Sequence, residues 1–173
     1  RRLEILGYTI NDMPIMKAVS YMQDCLVGKK VIPDRREILH DWDIFTELML
    51  STWIRRFTKD DYKANEVAKK WTEIISSAFE KGVYDNRLYV DAYKRIYRKP
   101  PKGGRLLDFA TFYQISLIAD SLKDKVALSL MDYILQNHSG IYYIYGSQLS
   151  ILPQEFKSKE ASRYIAAIEL LSE

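Results

Sequence analysis

The sequence predicts an all-α fold of antiparallel helical hairpins in an α/α-toroid-like or superhelical arrangement, with a partial toroid as one form of it. Apolar residues recur at helical spacing along most of the chain, and the helical patterns follow one another closely. Only 7 Gly and 5 Pro occur among 173 residues, which argues against a turn-rich β fold. We expect a single all-α domain over 1–173, a fragment of a longer chain because it opens on Arg1-Arg2 without Met.

The N-terminal part begins with "RRLEILGY", which is typical of the end of a helix. Asn11 or Asp12 can cap the next helix, and Pro14 lies in its first turn. The apolar stripe of that helix is Ile15, Ala18, Val19, Met22 and Leu26. A further helix covers 41–57, after a loop that contains Gly28.

The next two helices are predicted over 59–80 and 85–98. Thr58 and Asp61 have the spacing of a capping box at the start of the first, and Gly82 fits its C-terminal cap. Its apolar face is Ala64, Val67, Ala68, Trp71, Ile74, Ile75 and Ala78. The second helix carries Tyr89, Tyr93 and Tyr97 one turn apart and ends before Pro100-Pro101.

Three more helices are predicted in the C-terminal part, over 106–122, over 124–137 and from the cap Ser158 onwards. The segment 138–157 between the last two contains "GIYYIYG", where alternation over 141–145 allows a short β-like stretch within a packed loop.

The predicted helices are of two kinds. Those at 41–57 and 106–122 are apolar nearly all round, which indicates inner helices, whereas those at 59–80, 124–137 and 158–172 have one apolar stripe and one charged face. Alternation of inner and outer helices is the pattern of a solenoid or toroid. A compact bundle is the competing architecture.

Each inner helix keeps a column of polar residues on one face. The columns are Asp43, Glu47, Ser51 and Arg55 in the first helix, and Asp108, Thr111, Gln114 and Ser121 in the second. Buried polar groups need partners, so the columns either line a cavity that uses them or make ordinary hydrogen bonds in the core.

The candidate catalytic residues are Asp43, Glu47 and Asp108, because neighbouring carboxylates can divide acid and base roles. The alternative is that Glu47 pairs with a nearby cation such as Arg55 or Arg56 and takes no part in chemistry.

The candidate ligand-binding residues combine aromatic walls with polar groups: Trp42, Arg105, Thr111, Tyr113, Gln114, Tyr142, Tyr143 and Arg163. Tyrosine is abundant, with 13 residues, and its amphipathic ring suits a sugar or a lipid-like ligand. The alternative is that the tyrosines fill helix–helix contacts. Lys99, Lys102 and Arg105 could bind an anion or form a solvated loop.

Metal and cofactor sites are not expected. Cys25 is the only cysteine, and His40 and His138 lack a second ligand at metal spacing. A net charge of +3 is too small to indicate a nucleic-acid partner, and no run is long and apolar enough to span a membrane. The lone cysteine suits a cytoplasmic location.

Several segments resemble α/α-toroid proteins of the prenyltransferase and terpene-cyclase type. "LEILGYTINDMPIMKAVSYMQDCL" is similar to one unit of those proteins, and "DFATFYQISLIADSL" with "DKVALSLMDYILQNHSGIY" is similar to a later one. Gln136, Gly140 and Tyr142 stand in its glutamine–x–x–x–glycine–x–aromatic pattern, and "KEASRYIAAIELL" resembles the closing helix of uncharacterised bacterial members. The resemblance implies a toroid fold.

The resemblance does not extend to prenyltransferase activity or to terpene-cyclase activity. The zinc set of Asp, Cys and His is missing, and Asp41-Trp42-Asp43 supplies only half of the acidic run of the cyclases. We therefore expect a helical-repeat domain with a concave surface that binds a small molecule or a protein, with no demonstrated catalysis. The alternatives are an enzyme acting on a carbohydrate or isoprenoid-like substrate and a protein-interaction scaffold.

Overall fold

The computed structural model describes residues 2–33, 41–102, 111–136 and 152–172. These residues form eight α-helices and contain no strand, which confirms the all-α prediction for the described part of the chain. The helices are α1 (Arg2–Ile5), α2 (Met13–Leu26), α3 (Trp42–Phe57), α4 (Tyr62–Ala78), α5 (Asn86–Tyr97), α6 (Thr111–Ile118), α7 (Asp124–Gln136) and α8 (Lys159–Leu171). A 3₁₀ turn, Ala119–Ser121, follows α6.

The described residues divide into two compact units, Arg1–Ala68 and Lys69–Glu173. The boundary falls inside α4. The predicted β-like stretch at 141–145 and the beginning of the predicted helix at 106–122 lie outside the described residues.

The core of the first unit forms where α2 packs against α3 and the start of α4. Its buried members are Ile15, Val19, Ile54 and Ala64, and half-buried Ile10, Met22, Leu26 and Phe57 pack around them. The predicted stripe of α2 is thus correct except for Ala18, which is exposed. Ala18 lies at the edge of the stripe, where the helix already turns towards solvent.

The start of α4 differs from the predicted capping box. Asp61 alone caps the helix, because its Oδ1 accepts a hydrogen bond from the backbone N–H of Ala64 at 2.7 Å. Thr58 instead stands at the C-terminal end of α3, where its backbone N–H donates to the carbonyl of Ile54. The second carboxylate oxygen of Asp61 accepts from Nε2 of Gln23 at 2.9 Å, which ties the cap to α2.

Helix α3 is largely buried, as its nearly all-round apolar pattern predicts. Eight of its side chains are buried, and Asp43 is the one exposed residue within it. Two buried threonines, Thr46 and Thr52, satisfy their hydroxyls on carbonyls one turn earlier, at 2.8 Å from Trp42 and Leu48 respectively.

The second unit is organised around an aromatic cluster. Its members are Trp71, Phe79, Tyr84, Tyr89, Tyr93, Tyr97 and Tyr133. Tyr89, Tyr93 and Tyr97 form a ladder along α5, with ring centroids 6.0 and 5.0 Å apart. Trp71 of α4 contacts Tyr93 edge-on at 6.0 Å. These tyrosines fill helix–helix contacts, which is the alternative that the sequence left open.

Helix α6 packs against α8 in the same unit. Its buried side chains are Gln114, Ile115, Leu117 and Ile118, so its described part matches the prediction of an inner helix. The helical pattern ends earlier than predicted, since α6 stops at Ile118 and the 3₁₀ turn follows.

Candidate functional site

The predicted site residues that the structure describes fall into two groups. Trp42, Asp43 and Glu47 occupy the first two turns of α3 in the first unit. Tyr113 and Gln114 lie on α6 in the second unit.

The first turns of α3 position two carboxylates in different environments. Asp43 is exposed in the first turn, where its negative charge interacts favourably with the helix dipole. Glu47 is half-buried and close enough to Lys63 of α4 to act on its charge. The pKa of Lys63 is raised, chiefly because its ammonium donates to Glu66 at 3.0 Å and to a smaller degree because of the Glu47 charge. Glu47 therefore belongs to a charge network with α4.

The polar column of α3 runs from solvent into the core. Ser51 is fully buried and Arg55 is 8% exposed. Nη1 of Arg55 donates a hydrogen bond to Oδ1 of Asn65 on α4, so this end of the column stabilises a helix contact. The hydroxyl of Ser51 has no hydrogen-bond partner in the part of the chain that the structure describes.

Gln114 is the polar residue that stands out on α6. Its side chain is 3% exposed, and Oε1 has no hydrogen-bond partner among the described residues. Tyr113, the preceding residue, is half-buried. Chemically, Oε1 can accept a hydrogen bond from an O–H or N–H group, and the buried surroundings would strengthen that bond.

The predicted column of α6 does not include Ser121. That residue lies in the 3₁₀ turn, is exposed, and donates its hydroxyl hydrogen to Asp120 at 2.9 Å. The prediction was wrong because it assumed that α-helical geometry continues to residue 122, whereas the tighter turn rotates Ser121 to the surface.

Other predicted residues lie outside the described part of the chain: Arg105, Asp108, Tyr142 and Tyr143, together with His40 and His138. Thr111 and Arg163 belong to α6 and α8, but their side chains are also outside the described part. Trp42 is described. Its ring is tilted against Phe45 at 6.1 Å, and this contact lies within α3.

Sequence reasoning did not predict which buried polar atoms lack a hydrogen-bond partner, and Trp71 is an example. Trp71 was predicted as part of the apolar face of α4, and it is 3% exposed there. Its indole Nε1, a donor, has no hydrogen-bond partner among the described residues. No sequence pattern could reveal this, because the missing partner depends on tertiary packing.

The described residues contain no group of three or more His, Cys, Asp or Glu side chains that could hold a metal ion. Within the same residues, no helix is long and apolar enough to cross a membrane.

Comparisons of the chain with protein-family models, with curated proteins and with solved structures find no match.

Proposed function

We propose that this chain is a ligand-binding helical domain that uses Gln114 of α6 to hold a small molecule carrying a hydroxyl or N–H group. The observation that supports the proposal is the buried acceptor Oε1, which no described residue satisfies. The other buried residues in the described part of α6 are Ile115, Leu117 and Ile118, so the glutamine interrupts an apolar face.

A buried acceptor of this kind lowers stability by about 1–3 kcal/mol. A leucine has nearly the same volume and would fit the apolar face without that penalty. A ligand that donates a hydrogen bond to Oε1 removes the penalty in the bound state and gains the bond. We therefore assign the ligand to amphiphilic molecules, such as sugars or isoprenoid alcohols, with at least one donor group.

The finer architecture belongs to the same proposal. It comprises a toroid-like or superhelical order of hairpins with a concave surface, as the resemblance to prenyltransferase-type proteins implies. A cytoplasmic setting is proposed from the single cysteine, Cys25.

The carboxylate alternative has less support. Asp43 is exposed in the first turn of α3, and Glu47 belongs to the charge network around Lys63. Both carboxylates thus have structural roles that account for their positions.

A thermal-shift screen of sugars and isoprenoid alcohols tests the proposal. We expect at least one compound to raise the melting temperature of the wild type and to lose this effect in Gln114→Leu. The matched control is Gln154→Leu, which changes an exposed glutamine and should keep the shift. An equal shift in both variants, or no shift of the wild type by any compound, contradicts the proposal.

A further inference from the structure

A concentrated basic surface lies at the C-terminal end of α5. Between residues 92 and 102 the chain carries five cations and no acidic residue: Lys94, Arg95, Arg98, Lys99 and Lys102. All five are exposed. Without them the chain has 21 basic residues against 23 acidic ones, a net charge of −2. The positive charge of this protein is therefore concentrated in one segment.

Helix α4 adds to the same surface. The ammonium of Lys70 lies 5.7 Å from the ring centroid of Tyr97, in the last turn of α5. Arg95 forms an ion pair with Glu73 of α4, in which Nη2 of Arg95 lies 2.8 Å from Oε1 of Glu73. We call Lys70, Lys94, Arg98, Lys99 and Lys102 the basic surface.

Arg98 is the unusual residue of this surface. It ends α5 in the left-handed conformation, at a φ of 59°, and its backbone N–H donates to the carbonyl of Lys94 at 2.9 Å. The other positive-φ residues in the described chain are all glycines. An arginine in this conformation is strained relative to glycine, which is the common residue at such a position.

Within the described residues, no polar contact of the Arg98 side chain compensates for this strain. The side chain is exposed and makes no hydrogen bond or ion pair with any residue in the described ranges. Residues held in sparsely populated backbone regions occur at functional sites, so an observed outlier supports a functional hypothesis. The group that the strained backbone carries at this position is the guanidinium of Arg98. A guanidinium binds carboxylates in a two-point geometry.

We propose that the basic surface, with Arg98 at its centre, docks a short acidic segment of a partner protein. Pro100 and Pro101 restrict the backbone between Lys99 and Lys102, so this part of the chain loses less conformational entropy on binding.

The charge distribution favours a short acidic peptide over a long polyanion. A nucleic-acid duplex would extend beyond this segment and meet a chain that is net negative elsewhere, and the Glu73 carboxylate stands beside Arg95. A membrane surface fits less well, because none of the exposed large apolar side chains in the described residues lies between 84 and 127. The docking proposal does not use Gln114, so either proposal can fail without the other.

Fluorescence anisotropy with a labelled eight-residue Asp/Glu peptide, at physiological salt, tests the proposal. We expect binding to the wild type, about tenfold weaker binding to Arg98→Gly, and partial recovery in Arg98→Lys. The control is Lys125→Gln, an exposed lysine of α7, which should bind within twofold of the wild type. No peptide binding by the wild type, or an equal loss in the control, overturns the proposal.

Two further readouts distinguish peptide docking from a structural role of Arg98 and from binding of a different polyanion. Arg98→Gly should raise the melting temperature by about 2–4 °C, because glycine relieves the strain. A fall in melting temperature would show that Arg98 is a structural residue and would overturn the proposal. Tighter binding of a 20-base-pair DNA duplex or of phosphatidylserine vesicles than of the peptide would also overturn it.

Discussion

Arg56 of α3 holds Glu4 of α1 with two hydrogen bonds, Nε to Oε2 at 2.9 Å and Nη2 to Oε1 at 3.1 Å. The residues are 52 positions apart in the chain, and the arginine side chain is only 14% exposed. This two-point contact joins the four-residue helix α1 to α3 within the first unit.

Replacement of Glu4 by Gln should lower the free energy of unfolding by about 1–2 kcal/mol, because a charge-assisted pair with a mostly buried arginine is lost. Urea unfolding of the wild type and Glu4→Gln measures the difference. The matched control is Asp91→Asn, which removes the exposed partner of Arg87 at 3.8 Å and should change stability by less than about 0.5 kcal/mol. Equal effects of the two substitutions would show that the Glu4 contact contributes no more than a surface pair.

The cap of α4 gives a second prediction. Asp61→Ala should destabilise the protein by about 1–2 kcal/mol, because the Ala64 N–H loses its acceptor and Gln23 loses its partner. Thr58→Ala is the control, since its hydroxyl makes only a 3.3 Å contact with the N–H of Asp60. We expect it to cost less than about 0.5 kcal/mol in the same unfolding measurement. A larger loss of stability in Thr58→Ala than in Asp61→Ala would instead support the capping box that the sequence predicted.

The cap of α5 predicts a pH dependence. The pKa of Asp85 is lowered from 3.8, first by the hydrogen bond from Lys81 at 2.9 Å and then by the backbone N–H of Leu88. Because the folded-state pKa is the lower one, this stabilisation is fully present above the unfolded-state pKa. It is lost as the pH falls through the folded-state value, below 3.8.

The free energy of unfolding of the wild type and of Asp85→Asn, measured between pH 6 and pH 3, checks this pH dependence. The stability difference between the two proteins should be constant at the upper end and should shrink below pH 4. The same effect of Asp85→Asn can be measured in a Lys81→Gln background. There the stability difference should decrease less at low pH but should still decrease, because the backbone hydrogen bonds to Asp85 remain. Parallel curves of the wild type and Asp85→Asn down to pH 3 would contradict the assignment.

The apolar pattern of the sequence predicted the packing of single helices well. All seven residues of the predicted α4 face are buried, because a helical stripe has one stable orientation, towards apolar neighbours. The end of α6 and the start of α4 were less predictable. At the start of α4 several residues could form the cap, and the contacts of Asp61 with Ala64 and Gln23 distinguish them. The end of α6 depends on the change to 3₁₀ geometry at Ala119, for which the sequence has no clear signal.

The candidate site was predictable only in part. The burial of Gln114 follows from its place in an apolar helix, but its missing partner depends on every side chain around it. Arg56 is a further example, because its two-point contact runs to Glu4 on a different helix, a partner that the sequence did not indicate. Pairing across 52 residues has no signature in a single sequence.

In our proposal, Gln114 keeps its buried acceptor for a partner outside the protein. The free energy of unfolding of Gln114→Leu, measured with urea in the absence of ligand, shows whether that acceptor is unsatisfied in the free protein. We expect a rise of about 1–3 kcal/mol, because an unsatisfied polar atom is removed at nearly constant volume. Gln154→Leu should change stability by less than about 0.5 kcal/mol. A fall of more than about 1 kcal/mol in Gln114→Leu would show that the amide is bonded within the fold, and would contradict the proposal.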